Sequence, residues 1–189
     1  MSTVAVIGAG YVGLTTAACL AHIGHNVTCA DIDKTKITQL NNGEIPIHEA
    51  RLPELVQEGI SKQLLKFVVG AQQAVTTSDF VFLCLPTPQG EDGRADIGAV
   101  LEVVDEISEI IPSQAIIINK STVPIGTNAS IQATIQRNDI SVASNPEFLR
   151  EGVAVTDFLQ PDRIVIGATD KEVSGRVAAL YSEIDAPII

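Results

Sequence analysis

Three short segments of this sequence combine residue types that can take part in catalysis. One places Thr87 between two prolines, another places Lys120 before two hydroxyl side chains, and the third carries Glu147, Arg150 and Glu151 within residues 145–152. A carboxylate beside a positioned hydroxyl can act as a general base. These segments therefore indicate a polar site, provided that the fold brings them together.

The first two segments also have purely structural explanations. The prolines around Thr87 could simply mark a turn that ends a strand. Ser121 or Thr122 could cap a helix that has Pro124 near its first position. Capping does not explain Lys120, so both interpretations of this segment stay open.

The third segment is the most informative of the three. If it is helical, Glu147 and Glu151 lie four residues apart on one face, with Arg150 beside Glu147. Acids in the first turn of a helix are also favoured by the helix dipole, so a solvated acidic face is the alternative. The expected position at the mouth of a ligand crevice favours function.

A glycine-rich loop follows the first aliphatic run, at residues 4–7. Its Gly-x-Gly-x-x-Gly spacing lets the strand turn at Gly8, brings backbone at Gly10 close to a pyrophosphate and packs helix on strand at Gly13. The helix N-terminus then offers N–H groups to the anion. The predicted dinucleotide-binding loop comprises Gly8, Gly10, Tyr11, Val12 and Gly13.

Asp31 ends a second strand pattern at residues 27–30, 18 residues beyond Gly13. A carboxylate there can accept hydrogen bonds from an adenosine ribose and would repel a 2′-phosphate. Asp31 therefore favours NAD over NADP as the cofactor. Lys34 and Lys36 weaken this preference, because nearby cations could hold a phosphate.

The charge of the chain excludes several classes of partner. The 189 residues carry a formal net charge of −11. Without a basic stripe, neither a nucleic-acid surface nor an anionic membrane surface is expected. No apolar run approaches the roughly 20 residues that span a bilayer. We therefore expect a cytoplasmic protein.

The cysteines and histidines suggest no metal site and no disulfide framework. Cys19, Cys29 and Cys84 are far apart and form no C-x-x-C pair. Each falls in an apolar helix or strand pattern, so buried packing is expected. The three histidines are scattered as well.

Strand and helix patterns alternate along most of the chain. This alternation predicts an α/β fold, a doubly wound, mostly parallel sheet of Rossmann type with helices on both faces. Residues 1–189 are expected to form a single domain, with its crevice at the carboxyl ends of the strands. A polar loop is expected at 89–94 and a mixture of helix and loop at 147–158. The last strand patterns fall at 163–167 and 186–189.

Five motifs in order resemble the UDP-glucose/GDP-mannose dehydrogenase family, specifically its N-terminal, NAD-binding part. The amino-acid sequence of the third motif, at residues 120–127, is closer to the UDP-glucose branch than to the GDP-mannose or UDP-N-acetylmannosamine branches. The motifs are Gly-Ala-Gly-Tyr-Val-Gly at 8–13, Pro-Thr-Pro at 86–88, Lys-Ser-Thr-Val-Pro-Ile-Gly-Thr at 120–127, Asn-Pro-Glu-Phe-Leu-Arg-Glu-Gly at 145–152 and Pro-Asp-Arg at 161–163.

The resemblance implies an activity and assigns roles. The family oxidises the C6 alcohol of a nucleotide sugar to a carboxylate, using two NAD and a cysteine thioester. Thr122 and Glu147 would hold the hydrolytic water, and the catalytic candidates are Thr122, Glu147 and Glu151. The implied NAD contacts are Val12, Asp31, Lys36, Thr87, Thr122 and Glu151. The implied contacts with the sugar end of the substrate are Glu147, Phe148, Leu149, Arg150 and Glu151.

The sequence departs from the family pattern at one point. The nucleophilic cysteine, in a Gly-x-Cys-x-Pro-Lys-Asp motif, and a catalytic lysine and asparagine belong to segments beyond residue 189. The family's central helix and C-terminal substrate domain are also absent, and a homodimer is expected only with them. We therefore expect part of a longer protein that binds NAD without completing the oxidation. Another nucleotide-sugar dehydrogenase, or a non-catalytic NAD-binding regulatory module, remains open.

Overall fold

A seven-stranded sheet forms the centre of the computed structural model, which describes residues 1–90 and 93–189. The strand order is β3-β2-β1-β4-β5-β6-β7, and only the β6–β7 pair is antiparallel. The strands are β1 (Thr3–Ile7), β2 (Asn26–Asp31), β3 (Leu65–Val69), β4 (Phe80–Leu83), β5 (Ile116–Asn119), β6 (Ser141–Ser144) and β7 (Gly167–Ala168).

Helices cover both faces of this sheet, because successive side chains of each buried strand point to opposite sides. Val4 and Val6 face a core shared with α1, whereas Ala5 and Ile7 face a core shared with α5 and α6. The helices are α1 (Tyr11–His22), α2 (Lys34–Asn41), α3 (Leu52–Ser61), α4 (Ala71–Val75), α5 (Gly98–Ser108), α6 (Thr127–Ile135), α7 (Ala154–Leu159) and α8 (Lys171–Ala179).

The sheet reverses its direction of winding between β1 and β4, which pair directly although six elements separate them in sequence. In a doubly wound sheet, this switch point opens a crevice at the carboxyl ends of the strands. The predicted fold class is therefore confirmed, and the loops that follow β1, β4 and β5 meet at the crevice.

The predicted strand at residues 163–167 is wrong in extent. Only Gly167–Ala168 pair with β6, because the backbone just before them is engaged elsewhere. Ile164 N–H donates to Pro187 and Ile189 N–H donates back to Ile164, while Asn145 Nδ2 donates to the Val165 carbonyl at 2.9 Å. The strand pattern at 186–189 thus forms bridge pairing with residue 164.

The predicted polar loop at 89–94 includes Glu91 and Asp92, which lie outside the described residues. Among the helices of residues 1–90 and 93–189, none has the length and apolar character needed to cross a membrane.

Candidate functional site

A cleft of about 790 Å³ opens at the switch point of the sheet. The glycine loop forms one wall and the turn after β4 forms another, with the end of β2 at one side. Nine of the predicted cofactor and catalytic residues line it together: Gly8, Gly10, Tyr11, Val12, Asp31, Lys36, Thr87, Thr122 and Glu147.

The glycine loop has the geometry that a dinucleotide requires. Gly8 has a φ of +100°, and a Cβ there would overlap the carbonyl oxygen of Cys84. A Cβ on Gly13 would overlap the carbonyl oxygen of Gly8, so helix and strand approach too closely for any other residue. Gly10 precedes α1 with no side-chain cap and with open space on its Cβ side. The N-terminus of α1 is therefore open to an anionic ligand.

Asp31 is fixed from three directions at the rim of this cleft. Its Oδ2 accepts hydrogen bonds from Ala9 N–H at 2.9 Å and from the Lys36 ammonium at 2.8 Å, and its Oδ1 accepts one from Asp33 N–H at 3.0 Å. Burial alone would raise the pKa of Asp31, but the Lys36 ammonium and the two N–H groups lower it below its ordinary value. The carboxylate stays ionised and well oriented for a ribose.

The two lysines near Asp31 differ in their surroundings. Asp33 caps α2 by accepting Lys36 N–H at 3.1 Å, which fixes the helix turn that carries Lys36. The Lys36 ammonium is then paired with Asp31, whereas Lys34 is exposed outside the cleft lining. Pairing lowers the capacity of Lys36 to hold a 2′-phosphate and strengthens the argument for NAD.

The turns after β4 and β5 are joined by hydroxyl groups. Thr87 Oγ1 donates to the Thr122 carbonyl at 2.8 Å, and Ser121 Oγ accepts Leu85 N–H at 2.9 Å. The capping interpretation of Ser121 and Thr122 is wrong, since α6 begins only at Thr127 after Gly126. Ser121 instead satisfies the backbone of the neighbouring turn, which leaves the exposed side chain of Thr122 at the cleft.

Lys120 is a buried cation between the cleft and a second cavity of about 460 Å³. Its Nζ lies 3.1 Å from Asn145 Oδ1 and 5.7 Å from the centre of the Phe158 ring. Asn145 is held in turn by the Tyr181 hydroxyl. Burial lowers the pKa of Lys120, partly opposed by the nearby Glu147 and two thiols.

Residues 145–152, the acidic loop, are not helical as the Glu147–Glu151 spacing suggested. Helix α7 begins only at Ala154, and Gly152 has a φ of +88°. Glu147 Oε2 accepts Leu149 N–H at 2.6 Å, so the carboxylate replaces the backbone partner that a helix would provide. The two glutamates therefore do not share a helix face.

The residues of the acidic loop lie in different surroundings. Glu147 lines both cavities, while Phe148, Leu149 and Arg150 line only the second. Arg150 binds Asp157 through Nη2 at 2.7 Å. Glu151 is exposed and outside both linings, although its charge contributes to raising the pKa of Tyr11.

Glu49 is a site residue that sequence reasoning missed. It is buried, with 6% of its surface exposed. Its carboxylate accepts hydrogen bonds from Gly152 N–H, at the end of the acidic loop, and from Ala154 N–H, at the start of α7, both at 2.8 Å. Tyr11 completes the cluster, its hydroxyl 2.7 Å from Glu49 Oε2. Partial burial and the Glu49 carboxylate raise the pKa of Tyr11. The sequence offered no signal beyond an acid in a proline-containing loop.

The three cysteines are buried, as predicted. Burial raises the pKa of Cys19 and of Cys84 to about 12 and also raises that of Cys29. A thiol that stays protonated is a poor nucleophile, so these cysteines pack rather than react. Within the described residues, no group of three His, Cys, Asp or Glu side chains is arranged to hold a metal ion.

A parallel sheet with this glycine loop and acid defines a dinucleotide-binding domain of the dehydrogenase type. Residues 2–185 match the sequence model of the UDP-glucose/GDP-mannose dehydrogenase family, NAD binding domain. The chain therefore belongs to that family, and its cofactor is NAD.

Relatives from other organisms match this chain over all or nearly all of its length. UDP-glucose 6-dehydrogenase TuaD of Bacillus subtilis is 40% identical over 194 residues, which is 100% of this chain and 42% of that protein. A UDP-glucose dehydrogenase from Pyrobaculum islandicum is 36% identical, with a TM-score of 0.93 over 100% of this chain and 46% of its own. A GDP-mannose dehydrogenase from Pseudomonas aeruginosa is 35% identical, with a TM-score of 0.92 over 99% of this chain and 45% of its own. This chain thus spans less than half the length of each of the three.

Proposed function

We propose that residues 1–189 act as one domain, the cofactor-binding domain of an NAD-dependent UDP-glucose 6-dehydrogenase. That enzyme would oxidise UDP-glucose to UDP-glucuronate with two NAD. The observation that carries the proposal is that Glu147 lines both the cleft of the glycine loop and the adjoining second cavity. One carboxylate thus reaches the meeting point of a cofactor and a second ligand.

The cofactor would lie along the cleft from Asp31 to Glu147. Its pyrophosphate would sit over the N-terminus of α1, where backbone N–H groups and the helix dipole favour an anion. Asp31 would accept hydrogen bonds from the ribose, and Lys36, Val12 and Thr87 would line the same cleft around the cofactor. Bound NAD supplies the acceptor for the hydride that leaves the sugar. Glu151 stays a prediction as a cofactor and catalytic residue.

The chain's own contribution to the chemistry would be to bind and activate a water. Thr122 presents a hydroxyl at the cleft, and Glu147 presents a carboxylate that is held by the hydrogen bond it accepts from Leu149 N–H. A positioned hydroxyl can hold a water while a carboxylate removes its proton. This pair would serve the hydrolytic step that releases the product acid.

The nucleotide sugar would approach from the second cavity, where Glu147 to Arg150 form one side. We expect a cytoplasmic location. The net charge of −11 supports a partner other than nucleic acid or an anionic membrane surface. Dimer formation would depend on the family's C-terminal part.

The proposal can be tested through Glu147 in the full-length protein. Glu147→Gln should slow hydrolysis of the covalent intermediate by roughly 100-fold or more, a typical loss for a general base. Mass spectrometry should then detect an accumulated sugar adduct. Glu109→Gln, an exposed change in the turn after α5, should behave as the wild type. Unchanged turnover in Glu147→Gln would remove Glu147 from the mechanism.

A different nucleotide sugar is a second candidate substrate. The GDP-mannose dehydrogenase of P. aeruginosa matches this fold as well as the UDP-glucose enzyme does. Rates of NAD reduction with UDP-glucose, GDP-mannose and UDP-N-acetylmannosamine would separate these possibilities. A non-catalytic module is the third possibility. A Gly-x-Cys-x-Pro-Lys-Asp motif in the encoding reading frame would argue against it.

A further inference from the structure

The acidic loop is held in place by a carboxylate from a distant part of the chain. Residues 146–150 have no helix or strand hydrogen bonding of their own, so their position depends on partners elsewhere. Gly152 N–H donates to Glu49 Oε2 and Ala154 N–H donates to Glu49 Oε1, each at 2.8 Å. Glu49 therefore fixes the end of the loop and the start of α7.

The same carboxylate contacts the glycine loop. Glu49 Oε2 lies 2.7 Å from the hydroxyl oxygen of Tyr11, the first residue of α1. That hydroxyl also lies 2.8 Å from the carbonyl oxygen of Arg150, within the acidic loop. A phenol has one proton to donate, so the position of the Tyr11 ring decides how it is shared between the two acceptors.

Tyr11 and Val12 line the cofactor cleft, whereas Glu49 lies outside its lining. We propose that Glu49 is a positioning residue that couples occupancy of the cofactor cleft, through Tyr11, to the order of the acidic loop. The inference rests on the proposed function in taking NAD(H) as the ligand of the cleft. A dinucleotide packed along the glycine loop restricts the Tyr11 ring and so stabilises its hydrogen bond to Glu49.

Coupling of this kind is reciprocal. If bound NADH orders the acidic loop, then a loop that is already ordered raises the affinity for NADH by the same factor. Weakening the Glu49 contacts must therefore lower NADH affinity, although Glu49 itself does not touch the cleft. Loss of a residue that only stabilised the fold would leave the NADH-dependent change in the order of the loop intact in the folded protein.

The test uses Glu49→Gln, because glutamine keeps the size of the side chain. Its amide would point a donor at the Gly152 or Ala154 N–H, so one acceptor is lost. Glu44→Gln is the matched control, since Glu44 is an exposed acid in the same inter-helix segment. Each protein is studied by hydrogen exchange of peptides that cover residues 148–156, with and without NADH, and by calorimetric titration with NADH.

In the wild type and Glu44→Gln, NADH should slow exchange in these peptides. In Glu49→Gln the slowing should disappear. The Kd for NADH should rise about fivefold or more, which is the lower end of the affinity changes measured for coupled sites. If Glu49→Gln fails to fold, Tyr11→Phe replaces it. That variant keeps the Glu49–amide bonds and should retain loop protection without NADH while losing the NADH-dependent part.

Two outcomes would overturn the inference in distinguishable ways. NADH binding and NADH-dependent protection that are unchanged in both Glu49→Gln and Tyr11→Phe would show that Glu49 has no coupling role, with the proposed function intact. A wild type that fails to bind NADH would overturn the proposed function and the coupling together.

Discussion

The Lys36 ammonium lies 2.8 Å from Asp31 Oδ2, the oxygen that also accepts the Ala9 N–H of the glycine loop. One carboxylate thus joins the end of β2, the start of α2 and the turn after β1. A cation that could have attracted a 2′-phosphate is instead paired with the acid that repels it. Cofactor choice is therefore favoured by a contact between side chains of the protein itself.

Asp31→Ala should weaken NADH binding. Removing a charged acceptor of the ribose hydroxyls should raise the Kd by roughly 10-fold or more, the cost of a hydrogen bond to a charged group. The same change leaves the Lys36 ammonium without its carboxylate, so the Kd for NADPH should fall relative to that for NADH. Calorimetry with both cofactors measures this. Asp105→Ala, on the exposed side of α5, is the control, and equal NADH and NADPH affinities in the wild type would contradict the assignment.

Lys120→Met should stabilise the fold at neutral pH. Burial of the ammonium lowers the pKa of Lys120 below that of an unfolded lysine. The folded protein therefore binds fewer protons than the unfolded chain, and the free energy of unfolding rises as the pH increases toward about 10.5. Removing a poorly compensated buried charge should add on the order of 1–4 kcal/mol at pH 7.

Urea denaturation at pH 7, 8 and 9 would measure this effect. The difference in unfolding free energy between Lys120→Met and the wild type should shrink as the pH rises. Lys66→Met, at an exposed position of β3, should show no such trend. A wild type that is more stable than Lys120→Met at pH 7 would mean that Asn145 and Phe158 fully compensate the charge.

Gly13→Ala should destabilise the protein by about 3 kcal/mol or more, because the new methyl group would overlap the carbonyl oxygen of Gly8. Gly175→Ala is the matched change. Gly175 lies within α8, and nothing stands within 4 Å of a Cβ there. It should gain roughly 0.5–1 kcal/mol from helix propensity. Thermal and urea unfolding of the two variants should therefore shift in opposite directions.

Ser121→Ala should cost about 1–2 kcal/mol, since Leu85 N–H would lose its partly buried hydrogen-bond acceptor at 2.9 Å. The turn that carries Thr87 would then be less well fixed, and NADH affinity should fall with stability. Ser130→Ala, on the exposed side of α6, should be neutral or slightly stabilising. Equal unfolding curves for Ser121→Ala and the wild type would argue against this role of the hydroxyl.

Local patterns in the sequence predicted much of the fold. Three features depend on interactions between residues within about 30 positions of one another, which short-range periodicity captures. They are the aliphatic runs, the spacing of Gly8, Gly10 and Gly13, and the acid at Asp31. They were sufficient for the parallel sheet, the glycine loop and the carboxyl edge where the site lies. The five motifs also indicate the family without reference to the fold.

Long-range pairing decided what local patterns could not. The four-residue spacing of Glu147 and Glu151 suggested a helix, but the Glu147 carboxylate accepts Leu149 N–H and Gly152 adopts a positive φ. Ser121 looked like a helix cap, yet its partner is Leu85, 36 residues away.

The role of Glu49 could not be predicted from its neighbours in sequence, because its hydrogen bonds to Gly152 and Ala154 span 103 and 105 residues. The sequence alone determined which residues could form a dinucleotide site. Only the tertiary structure decided which backbone groups each carboxylate holds, since contacts between distant residues are formed by the packed sheet and helices rather than by neighbours in the chain.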